Sequence, residues 1–109
     1  MAIQVIVAQA GPLPISASFS APGDEPMYLE VNGSVWSQST DELLGIVVAL
    51  DGSVIGNAQI FSNGNTTHRA VVPAYIQVQL SEGQHTLTLS AAANTVSDFN
   101  DRFVAVLHY

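Results

Sequence analysis

The sequence has no cysteine and no lysine, and it sets two arginines against nine acidic residues, for a net charge of −7. The missing cysteine excludes disulfides, thiolate metal sites and thiol nucleophiles. The missing positive charge argues against nucleic acid as a partner, because phosphate binding needs clustered Lys and Arg. It disfavours an anionic membrane surface for the same reason. No apolar run is long enough for a membrane span or membrane insertion, and Met1-Ala2-Ile3-Gln4 carries no basic segment. The expectation is a chain without a signal peptide, cytoplasmic or exported by a non-classical route. Neither a Gly-rich phosphate loop nor a Gly-x-Ser-x-Gly elbow occurs.

Charge of either sign is scarce: 10% of residues are charged, whereas 48% are hydrophobic. A globular domain ordinarily carries about a quarter charged residues. The surface is therefore either polar through Ser, Thr, Asn and Gln or covered by other copies of the chain.

The hydrophobic period is two. His85, Leu87, Leu89 and Ala91 alternate with Thr86, Thr88 and Ser90. Met27, Leu29, Val31, Gly33 and Val35 alternate with Tyr28, Glu30, Asn32, Ser34 and Trp36. Val72, Ala74, Ile76, Val78 and Leu80 repeat the pattern, with Pro73 marking a strand edge or start. Turn residues separate the runs. Asp51-Gly52 between two apolar segments is a hairpin signal, and Glu82-Gly83 makes a second tight connection. Asp41-Glu42-Leu43-Leu44 could form one short helical turn. The 109 residues thus read as one domain, 1–109, an all-β antiparallel sandwich of jelly-roll type with about eight or nine strands.

Two runs are apolar on both faces, 43–50 and 103–109. A strand of a lone two-layer sandwich should keep one wet face. The pattern predicts a homo-oligomer, with Leu44, Ile46, Val48, Phe103, Val104, Val106 and Tyr109 at the interface. A strand covered by a loop is the competing explanation.

His68, His85 and His108 lack metal-ligand spacing, and the paired acids Asp24/Glu25 and Asp41/Glu42 lie beside turns. No catalytic residue is assigned. Trp36, Tyr28 and Tyr75 fall on outward faces, where aromatic rings can stack on sugars, and His68 stands at an accessible loop-to-strand junction. Asp98-Phe99-Asn100-Asp101 is the one compact polar constellation. Asp98, Asn100 and Asp101 offer the hard oxygens that calcium prefers, and an Asx-type turn is the alternative.

Two resemblances follow from these residues. The stretch 45–52, then Leu80-Ser81-Glu82-Gly83-Gln84-His85-Thr86-Leu87, then Phe103-Val104-Ala105-Val106-Leu107 together resemble the tumour-necrosis-factor/complement globular-head jelly roll. That resemblance implies a compact homotrimer that binds proteins or glycans or builds an assembly. The Asp98-Phe99-Asn100-Asp101 loop before an apolar strand resembles the calcium loop of small calcium-dependent bacterial lectins, which implies Asp98, Asn100 and Asp101 as ligands. The chain here lacks the upstream acidic ligands and the small-residue tail of those lectins. The expectation is a non-enzymatic oligomeric recognition module, lectin-like and carbohydrate-binding. The alternative is a structural or assembly subunit, such as a shell, fibre or decoration protein.

Overall fold

The computed structural model describes residues 2–109. Among them are nine strands: β1 (Ile3–Ala10), β2 (Ile15–Ala21), β3 (Pro26–Val35), β4 (Glu42–Leu50), β5 (Ser53–Ser62), β6 (Arg69–Ala70), β7 (Ala74–Gln79), β8 (Gly83–Ala91) and β9 (Arg102–His108). They form two antiparallel sheets. One runs β1-β9-β3, with β7 and β6 both paired along the far edge of β3. The other runs β2-β8-β4-β5. This is the jelly-roll sandwich that the period-two pattern implies.

The alternation decides which side chains meet in the middle. Met27, Leu29 and Val31 of β3, Leu87 and Leu89 of β8, and Phe103, Ala105 and Leu107 of β9 are all buried. The intervening residues point outward, because successive side chains on a strand face opposite ways. The ring of Phe103 lies over two glycines. A Cβ on Gly33 would stand 2.6 Å from it, and one on Gly11 would stand 2.9 Å from it. The β4–β5 hairpin turns on Asp51 and Gly52, with φ of 50° and 86°. Two successive positive φ values match the twist of the flanking strands, and Asp and Gly tolerate them.

Three local expectations are corrected. Glu42, Leu43 and Leu44 belong to strand β4, not to a helical turn. Val71 is buried and Val72 exposed, the reverse of the simple alternation, because β7 begins only at Ala74, after Pro73. The assigned interface is the third. Leu44, Ile46, Val48 and Phe103 are each 0% exposed within a single chain. They are core residues and need no partner to be covered. The edge of β4 that faces β8 is also met by the loop after β8. Ala92 N–H donates to Gly45 O at 3.0 Å, and Gly45 N–H donates to Thr95 Oγ1 at 3.1 Å. These bonds extend the β4–β8 pairing by one turn of chain, while Leu43 on the outer face stays 53% exposed. Of the assigned interface residues, Val104, Val106 and Tyr109 retain exposed surface.

Candidate functional site

The outward aromatic residues separate into two places. Tyr28 and Tyr75 lie on the open face of the β1-β9-β3-β7 sheet. Tyr28 pairs with His108 on one side and Gln77 on the other. Glu30, two residues along, pairs with Val106 and Tyr75. The two tyrosines are therefore diagonal neighbours on adjacent strands, close enough for rings to share one ligand. They are 52% and 65% exposed. Beside them, His108 Nε2–H donates to Glu30 Oε1 at 2.8 Å. A cleft of about 290 Å³, lined by residues 22–27 and Tyr109, opens at the Tyr28 end of this sheet.

Trp36 and His68 lie at the other end of β3. Trp36 bridges to Val96 through paired backbone hydrogen bonds of 2.9 and 2.8 Å. The His68 ring packs against the indole at 5.7 Å between centroids. A smaller cleft of about 170 Å³, lined by Ser37, Gln38, Ser39, Asn94, Thr95 and Val96, flanks the same bridge.

The 98–101 loop closes on itself. Asp101 is 0% exposed. Its Oδ1 accepts from Ser34 Oγ at 2.7 Å and from His68 Nδ1–H at 2.6 Å. Its Oδ2 accepts from the Asp98 N–H at 2.9 Å. Asp98 Oδ1 accepts from the Asn100 N–H at 2.8 Å, an Asx-type turn. Asp98 Oδ2 and the exposed Asn100 remain on the outside, and Phe99 at the tip is 81% exposed. Joining His68 to Asp98 and Asp101 is what the tertiary structure adds to the sequence. Residues 68 and 101 are far apart in the chain, so no local motif announces the pair. The Asp101 hydrogen bond raises the pKa of His68, against an opposing contribution from burial. Ser34 Oγ donates to Asp101 and not to His68, so this group does not form a Ser–His couple of the kind that activates a hydroxyl.

A second histidine clamp was only half legible. His85 faces inward against Phe19, as its place in the alternation predicts. Its Nδ1–H donates to Asp51 Oδ2 and its Nε2–H to Ser81 O, both at 2.6 Å. Two acceptors on one imidazole favour the doubly protonated ring. The Asp51 bond raises the pKa of His85, and the His85 bond lowers that of Asp51 below 3.8. The clamp's contribution to stability is therefore complete below the usual histidine value of about 6.5 and fades as pH rises through the raised one. At the acid end it is present above 3.8 and fades as Asp51 protonates. The wild-type melting temperature should fall between pH 5 and pH 8 by more than that of His85→Gln. Parallel falls in thermal melts of the two proteins would show that the clamp contributes nothing.

No family model matches the chain, and no curated protein matches it in sequence. Solved structures do match its fold. The "EclA C-terminal domain; sugar-binding protein" superposes with a TM-score of 0.52 at 14% identity, over 92% of this chain and 69% of that one. The Eiger TNF from S. frugiperda superposes with a TM-score of 0.58 at 9% identity, over 98% of this chain and 92% of that one. The chain therefore shares a jelly-roll fold with these structures, as its strand pattern implies.

Proposed function

We propose that the protein is a non-enzymatic carbohydrate-recognition module that reads its ligand on the open face of the β1-β9-β3-β7 sheet. The observation that carries this reading is the adjacent pair of exposed tyrosines beside the Glu30–His108 pair. Sugars present apolar C–H faces and rings of hydroxyls. Aromatic rings stack on the former, and carboxylate, imidazole and amide groups satisfy the latter. Tyr28, Tyr75, Glu30, His108 and Gln77 supply both kinds of contact on one surface. The sugar-binding protein that shares the fold is compatible with this reading. Trp36 is less suited as a stacking platform, because His68 already covers part of it.

The assembly reading keeps one specific support. Ile3 and Val5 on β1 are 58% and 56% exposed and continue the same sheet face as Val104 and Val106. A homotrimer that covers them would also border His108, Tyr28 and Glu30, which share their cross-strand rows, so the assembly reading competes with the sugar reading for this face.

The deciding experiment is a glycan array run with calcium and with chelator, alongside the solution mass of the protein. Wild type should retain a defined set of glycans, and Tyr75→Ala should bind them at least tenfold more weakly. Loss of binding in chelator that added calcium restores would show that recognition depends on calcium. No retained glycan, together with a trimer mass that Val5→Asp reduces to a monomer, would replace recognition with assembly.

A further inference from the structure

The His68 cluster lies apart from the tyrosine face and has its own chemistry. Asp101, fully buried, accepts from His68 Nδ1–H at 2.6 Å. That bond fixes the tautomer, so Nε2 is the nitrogen left facing outward. It faces Asp98 Oδ2 at 3.7 Å. This separation is too long for a hydrogen bond. It is close to the spacing of two atoms that share one small ion. Ligand atoms about 2.0–2.2 Å from a zinc ion stand roughly 3.4 Å apart at the tetrahedral angle.

The arrangement repeats the recurring logic of metal-bound imidazole, in which a buried carboxylate holds the far nitrogen and orients the near one. His68 Nε2 and Asp98 Oδ2 are each about one-third exposed through their side chains, so an ion can reach them. The three side chains, His68, Asp98 and Asp101, offer ligand atoms within 4.8 Å of one another, and the Trp36 ring packs on His68 at 5.7 Å between centroids.

We propose that His68 and Asp98 bind a divalent ion that accepts both nitrogen and oxygen ligands, such as zinc, with Asp101 as the orienting carboxylate. Calcium is the poorer match. Both Asp101 oxygens and Asp98 Oδ1 are already hydrogen-bonded, and calcium needs about six to eight oxygen ligands. Two protein ligands leave coordination positions open for water or for an oxygen of a ligand. The proposal is independent of glycan binding on the tyrosine face.

Trp36 is the only tryptophan in the chain and reports on this site directly. Copper(II) added to the 109-residue protein should quench its emission saturably at one ion per chain. Zinc should displace the copper, and calcium at the same concentration should not. Asp98→Asn keeps the Asp101 network intact and should weaken copper binding at least tenfold. His68→Gln should abolish the quenching, whereas His108→Gln should leave it unchanged. Quenching that survives both Asp98→Asn and His68→Gln, that never saturates, or that calcium reverses as well as zinc does would overturn the proposal.

Discussion

Val48→Asp should leave no folded protein in dilute buffer at 25 °C. Val48 is 0% exposed on the inner face of β4, between Gly56 of β5 and Leu89 of β8. Losing its burial removes about 1.5–3 kcal/mol. An unpaired carboxylate in that position costs several kcal/mol more, since the inner faces of the sheets around it are apolar. The total rivals the whole stability of a domain this size, about 5–15 kcal/mol. Val54→Asp is the matched control. Val54 is 70% exposed, and the same chemical change there should alter stability by no more than about 0.5 kcal/mol. Circular dichroism and a denaturant melt of each variant provide the comparison. A cooperative transition of normal midpoint in Val48→Asp would mean that β4 does not run through the core. The variant tests folding and not assembly, because a single chain already covers this residue.

Asp101→Ala should be the most damaging change outside the apolar core. Three hydrogen bonds converge on its carboxylate, from Ser34, His68 and the Asp98 backbone. Removing the acceptor leaves a main-chain N–H and a hydroxyl without their partner. An unsatisfied buried polar group costs about 1–3 kcal/mol. Breaking a buried charged network by removing one partner costs about 3–5 kcal/mol. The expected loss is about 3 kcal/mol, or about 10–20 °C in Tm for a domain of roughly this length. Asn100→Ala, one residue away, removes an exposed side chain and should change stability by about 0.5 kcal/mol or less. Equal effects of the two substitutions in urea unfolding would contradict the buried role of Asp101. Under the calcium-loop resemblance the two residues are equivalent ligands. The structure makes them unequal, one a buried tie between β3, the 98–101 loop and His68, the other on the surface.

The difference between local and distant information runs through the molecule. Period-two alternation and the Asp51-Gly52 turn are local properties of the chain. They sufficed for an all-β sandwich, for the inward set Met27, Leu29, Val31, Leu87 and Leu89, and for the β4–β5 hairpin. Alternation states which residues share a face, not what lies against that face. Leu44, Ile46 and Val48 thus fit a subunit contact as well as a core by alternation alone, and burial within one chain assigns them to the core. Alternation also fails where pairing is interrupted, as at Pro73, where Val71 and not Val72 turns inward.

The candidate sites show the same division. The sequence by itself determined the chemistry available: exposed tyrosines on an outward face, three histidines, and one acidic loop without cysteine or lysine nearby. Tertiary structure alone decided which of these meet. It set Tyr28 diagonal to Tyr75 through the β3–β7 register, and it moved Trp36 to the opposite end of β3. It brought His68 across the fold to Asp98 and Asp101, and it split the three loop residues into one buried anchor and two surface groups. Hydrogen bonds between distant residues depend on strand order and register, and those emerge only when both sheets have paired and packed.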